Sequence, residues 1–144
     1  MKAVLFDLNV VLDVLLAREP HVGASAKALD LASGKDVQGF IAAHCVTTLF
    51  YLLRRRVGTD RAHRVTAHLL ERLRVAPVDE QVVRSALASA WPDLEDAVCH
   101  AAARAVGAEC IVTRNVEDFR SSTPPALRPE VFVRLYSGGK GGGH

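Results

Sequence analysis

Carboxylates recur in this chain just after apolar runs, a placement that suits metal-assisted chemistry. Asp7 and Asn9 follow Ala3-Val4-Leu5-Phe6. Asp93, Glu95 and Asp96 open an alanine-rich segment, and Thr113, Asn115, Glu117 and Asp118 follow another apolar run. Thr47 and Thr48 lie just inside the segment after a third such run, which leads into Ala42-Ala43-His44. Brought together, these carboxylates would repel one another and call for a bound cation. Donors that are all oxygen select a hard ion, Mg²⁺ or Mn²⁺, over zinc. Each residue also has a simpler use: Asp7 as a helix cap, Asp93 and Asp96 as cap and dipole partner at a helix start, and Asp118 as a turn former.

What brings them together is the order of elements. Residues 3–9 lack the polar alternation of a half-exposed strand and read as a buried strand of a parallel sheet, after which the apolar spacing becomes helical. The first helix ends near Ala17, Arg18-Glu19-Pro20 interrupts, and residues 24–32 resume until Ser33-Gly34. Residues 37–41 read as a second strand, 45–56 as a strong helix ended by Gly58, and 59–72 as a basic amphipathic helix with Thr59 as its N-cap. A third strand over 75–78 precedes a helix over 79–90, which Trp91-Pro92 breaks. A helix capped by Asp93 and stopped at Gly107 leads to a fourth strand over 109–113, and residues 131–135 read as a fifth, beyond a loop containing Pro124-Pro125.

Strands separated by helices imply an α/β fold, a three-layer α/β/α sandwich around a parallel sheet of about five strands. Right-handed crossovers then gather the strand ends, and the polar residues, on one edge. The expected layout is one domain over residues 1–136 and a flexible glycine-rich tail over 137–144, whose Gly-Lys letters imitate a phosphate loop with no helix after them.

Composition narrows the class. A chain of 144 residues fits one domain. No apolar stretch approaches the ~20 residues needed to cross a bilayer, and Met1-Lys2 runs straight into the first strand, so no membrane association and a cytoplasmic location are expected. Three cysteines without C-x-x-C spacing indicate neither a disulfide framework nor a zinc knuckle, and read as buried small side chains. A formal charge of +2 does not announce a nucleic-acid protein, so any such contact rests on local clusters, the densest being Arg54-Arg55-Arg56 with Arg61 and Arg64. Arg54 to Arg56 also suit the C-terminal dipole of their helix.

Phe6-Asp7-Leu8-Asn9-Val10-Val11-Leu12-Asp13, Glu95-Asp96-Ala97 and Ile111-Val112-Thr113-Arg114-Asn115-Val116-Glu117-Asp118-Phe119 resemble, in order and spacing, the three signature segments of the PIN domain. The resemblance extends to about Leu135. It implies a Mg²⁺- or Mn²⁺-dependent ribonuclease of VapC type, the toxin of a type II toxin–antitoxin pair, with RNA as substrate, a small antitoxin as partner, and a homodimer left open. Carried over by position, Asp7 and Asp96 are the principal metal ligands and catalytic residues, with Asp118 the next carboxylate. Asn9, Glu95 and Thr113 are supporting. Two positions depart from many members: Thr48 stands where a Glu is common and Asn115 where a further Asp is common, which lowers the negative charge and weakens metal affinity or catalysis. The alternative implied is a PIN-like module that binds RNA or protein without cutting. Asp7-Leu8-Asn9 also looks like the nucleophile loop of haloacid-dehalogenase phosphatases, but Asn9 stands where that chemistry needs a second Asp. Motifs for a serine hydrolase, a dinucleotide site or a zincin are absent.

Overall fold

A computed structural model of the chain describes residues 1–119 and 123–142, with side chains through Ser137. Its frame is set by β1 (Lys2–Phe6), whose last three residues are fully buried. β2 (Val37–Ala42) pairs with β1 in parallel from Lys2↔Val37 to Leu5↔Phe40, and β4 (Ile111–Val112) flanks the other side through Leu5↔Ile111 and Phe6↔Val112. β3 (Arg74–Ala76) and β5 (Ala126–Leu127) complete a five-stranded parallel sheet in the order β3-β2-β1-β4-β5. Among the described residues, seven helices cover the sheet: α1 (Leu8–Leu15), α2 (Val22–Ala32), α3 (Ala43–Val57), α4 (Thr59–Leu69), α5 (Glu80–Ser89), α6 (Leu94–Ala105) and α7 (Pro129–Gly142). A 3₁₀ turn spans Val116–Phe119. This is the expected three-layer α/β/α architecture.

The strand order reverses at β1. The chain leaves β1 towards β2 and later leaves β4 towards β5, so the crevice where an open α/β sheet places its ligands lies beyond the carboxyl ends of β1 and β4. Asp7 and Thr113 are the first residues after those two strands. The tight packing below them is visible at Gly39, where an added Cβ would lie 2.6 Å from Leu73 Cδ2, 2.8 Å from Ala32 Cβ and 3.2 Å from Phe6 Cε1. α6 is equally close-packed, since Ala97, Val98, Cys99, Ala101, Ala102 and Ala103 are all buried.

Three local expectations are corrected. Residues 131–135 form helix rather than a fifth strand, and the sheet edge is instead the two-residue β5. Short apolar runs do not distinguish strand from helix by period alone, and here Pro129 at the first helical position sets the helix. Phe132 and Tyr136, one turn apart, then stack at 4.5 Å, and Phe132 meets Phe6 edge-on at 6.0 Å. The tail expected from Ser137 begins inside this helix, whose described backbone runs to Gly142; residues 143–144 lie outside the described residues. Thr59 makes no capping bond: α4 is preceded by Gly58, whose positive φ of 86° suits glycine, and whose carbonyl accepts from Ala62 N at 3.0 Å. No helix among the described residues is long and apolar enough to cross a membrane.

Candidate active site

Asp7 directly follows β1 and caps α1, so the cap expected of it and its place at the sheet edge are both realised. Its backbone N–H donates to Val112 O at 2.9 Å, which ties it to β4. Each carboxylate oxygen is engaged. Leu8 N donates to Oδ1 at 2.8 Å; Thr113 Oγ1 at 2.8 Å and Asn9 Nδ2 at 3.3 Å donate to Oδ2. Thr113 is fully buried and its hydroxyl also accepts from Asn115 N at 3.1 Å, while Asn9 Oδ1 accepts from Arg114 N at 3.4 Å. Asn9 and Thr113 thus fix the rotamer of Asp7 and bind the loop after β4 to the start of α1.

Asp96 reaches the same edge from α6. Its N–H donates to Asp93 Oδ1 at 3.0 Å, the expected cap. Its side chain, with Pro92, Asp93, Glu117 and Asp118, lines a cavity of about 270 Å³. Burial, then Asp93, Asp7, Asp118 and Glu95 in that order, push the Asp96 carboxyl up to about 7. Burial likewise raises Asp7 above the usual carboxylate range, opposed by its bonds from Thr113 and Leu8 N and reinforced by Glu95 and Asp118. Asp7, Glu95, Asp96 and Asp118 therefore share one electrostatic neighbourhood, with Asp118 and Glu95 at the exposed rim and Asp7 at the base. An all-oxygen set in which Asp7 and Asp96 are both raised fits a hard divalent cation, which relieves the mutual repulsion.

The two neutral positions differ in setting. Asn115 is exposed after Thr113. Thr48 is half-buried on α3, one turn beyond His44, and its hydroxyl donates back to the His44 carbonyl at 3.4 Å; Thr47 makes the same bond at 3.0 Å. Arg54, Arg55 and Arg56 are exposed in the last turn of α3, with Arg54 over the Tyr51 ring at 5.1 Å. That end of the helix is about 16 Å from its His44 end, at 1.5 Å per residue.

Two features escaped the sequence. Asp13 is fully buried in α1, where it accepts from Arg114 through Nε at 2.7 Å and Nη2 at 3.2 Å, pairs with Arg18 at 3.3 Å, and accepts from Ser25 Oγ at 3.1 Å. Arg114 follows Thr113, so this ion pair anchors the loop carrying Thr113 and Asn115. The available signal was an acid on the apolar face of α1, between Val10 and Val14. The second feature is a contact of His44 and Cys45 with Cys99, in which Cys99 and His44 favour the Cys45 thiolate and hold its pKa below the usual thiol value. No local spacing predicts it. On α3, Leu49 and Leu53 are fully buried in the core and Leu52 packs half-buried against it.

The sequence model of the PIN domain matches residues 3–117. The fold resembles several solved structures: a toxin–antitoxin complex from Klebsiella pneumoniae (19% identity, covering 88% of this chain and 97% of that one, TM-score 0.69); DNA-bound VapBC from Salmonella typhimurium (16%, 90% and 99%, 0.67); and the sarcin–ricin-loop-cleaving toxin VapC20 of Mycobacterium tuberculosis (20%, 75% and 86%, 0.60). No curated protein sequence matches the chain. With the domain match spanning most of its length and its strand order and site segments in place, the chain belongs to the PIN domain family.

Proposed function

We propose that this protein is a Mg²⁺- or Mn²⁺-dependent endoribonuclease that acts in the cytoplasm as the toxin of a toxin–antitoxin pair. The observation that carries the activity is the convergence of Asp7, Glu95, Asp96 and Asp118 beyond β1 and β4, with Asp96 held at a pKa of about 7. Asp7 and Asp96 would hold the ion directly, and Asp118 and Glu95 through water, in keeping with the few protein carboxylates that Mg²⁺ needs. When bound, the ion supplies charge for a phosphodiester and acidifies a water for in-line attack. Asn9 and Thr113 orient Asp7 by hydrogen bonds, and Arg114, anchored on Asp13, holds the loop that carries Thr113. The toxin–antitoxin and toxin structures among the neighbours support the biological role.

A surface for the partner is available away from the carboxylates. Val14, Leu15, Leu29, Val65 and Leu69 line a groove of about 640 Å³ between α1, α2 and α4, which is rimmed by Arg61, Arg64, His68 and Arg72. An apolar floor under cationic edges suits an acidic amphipathic segment of a small antitoxin, with electrostatics aiding its capture. The Arg54 to Arg56 cluster remains exposed and suits RNA phosphates at a distance from the cleft.

A second reading has its own observation. Thr48 and Asn115 add no negative charge, and the Thr48 hydroxyl is engaged within its own helix, which suits a module that binds without cutting. The deciding experiment is cleavage of a panel of structured RNAs by the purified chain with Mn²⁺, beside Asp7→Ala. Metal-dependent cleavage lost in the variant supports the nuclease. RNA binding without cleavage, equal in both proteins, supports the binding module.

A further inference from the structure

We infer that His44, Cys45 and Cys99 form a second cation site, one for a thiophilic divalent ion such as Zn²⁺, that joins α3 to α6 beside the carboxylate cleft. The three donor atoms form a nearly equilateral triangle. Cys45 Sγ and Cys99 Sγ are 3.6 Å apart, and His44 Nε2 lies 3.8 Å from the first and 3.7 Å from the second. A point equidistant from such corners lies about 2.1 Å from each, and a small displacement out of the plane lengthens this towards the ~2.3 Å of a Zn–S bond, the Zn–N bond being about 2.0–2.1 Å. A tetrahedral ion with those bonds would separate its two sulfurs by about 3.8 Å and each sulfur from nitrogen by about 3.6 Å. The side chains therefore need to move by only a few tenths of an ångström.

The chemistry of the donors differs from that of the cleft. Thiolate and imidazole select a borderline-soft ion, whereas Mg²⁺ prefers the carboxylates, so one chain offers two sites of different hardness. Among the described residues this is the one set of three histidine, cysteine or carboxylate side chains whose donor atoms all lie within 4.8 Å of one another. Both sulfurs are buried, while His44 is only half-buried and gives the ion its side of approach. His44 Nδ1 has no hydrogen bond of normal geometry, though the Glu95 backbone acts on the ring, so loading of Nε2 would fix the proton on Nδ1 and direct it at that acceptor. Three protein ligands leave a fourth position for water. Binding displaces to solvent whatever protons the two sulfurs and His44 Nε2 still share and leaves the pair of thiolates neutralised by the ion.

The test uses the full chain, stripped of metal and kept reduced, with Co²⁺ as the probe. Expected are a thiolate-to-cobalt charge-transfer band and strong tetrahedral visible bands that saturate at one equivalent and are bleached by one equivalent of Zn²⁺. Both should vanish in Cys45→Ser and Cys99→Ser, weaken in His44→Gln, and persist in Asp96→Asn, which separates this site from the carboxylates. Folding of each variant is checked by circular dichroism. Where a serine variant does not fold, X-ray absorption of the zinc-loaded wild type decides: a shell containing sulfur and imidazole nitrogen supports the site, and an all-oxygen shell overturns it. A folded wild type without the charge-transfer band, or a band that survives in both serine variants, also overturns it.

Discussion

Replacing Asp96 by Asn tests whether the cleft is a cation site held in waiting, because the metal-free and metal-bound proteins should respond with opposite sign. Without metal, the fold raises the Asp96 carboxyl from an ordinary 3.8 to about 7, so the folded chain holds this proton more tightly than the unfolded one. Stability is then greatest below the unfolded value and declines as pH rises between the two, where the folded state carries the extra proton. At 1.36 kcal/mol per pH unit the span of about 3 units sets a ceiling of about 4 kcal/mol, which solvent screening of a partly exposed group reduces to about 1–2 kcal/mol. Asn removes this ionisation but gives up about 0.5 kcal/mol of favourable dipole interaction in the first turn of α6. The net expectation for metal-free Asp96→Asn at about pH 8 is a gain of roughly 1 kcal/mol, or about 4 °C in Tm for a domain of this size. With saturating Mn²⁺ the order inverts: the ion stabilises wild type by mass action and the variant far less. The assay is thermal unfolding by circular dichroism at about pH 5 and about pH 8, with chelator and with Mn²⁺. A metal-free variant that is less stable than wild type at the higher pH, or an equal Mn²⁺ response in both proteins, would refute the reasoning.

If Thr48 faces the cleft, Thr48→Glu adds a carboxylate to it, and the variant should be less stable than wild type without metal and show the larger Mn²⁺-induced rise in Tm, an equal rise placing the residue elsewhere. Asp13→Ala strips two arginines of a buried partner and should cost about 3–5 kcal/mol, read by urea unfolding; Arg114→Lys, which loses the forked contact, should cost less and still weaken Mn²⁺ binding by loosening the Thr113 loop. Gly39→Ala forces Leu73 and Ala32 apart and should lower stability by about 1–3 kcal/mol with no change in m-value.

The sequence by itself determined the class of fold and the sheet edge at which Asp7 and Thr113 stand. β1 is uniformly apolar because both its faces are covered, and that burial is written in the composition of Val4, Leu5 and Phe6. Asp7, Asp93 and Gly58 or Gly107 mark element ends because caps and positive-φ positions are local needs met by a few residue types. What remained undetermined depends on contacts between distant segments. Residues 131–135 fit either period, and the choice of helix goes with the burial of Phe132 against Phe6. Asp13 looked like one more letter of a motif until Arg114, 101 residues later, became its partner. Nothing near His44 and Cys45 announces Cys99, because a site made by two helices meeting is specified by packing rather than by spacing along either one. The raised pKa of Asp96 belongs to the same class: a capping position explains the residue locally, and only the tertiary structure brings Asp7 and Asp118 close enough to change its chemistry.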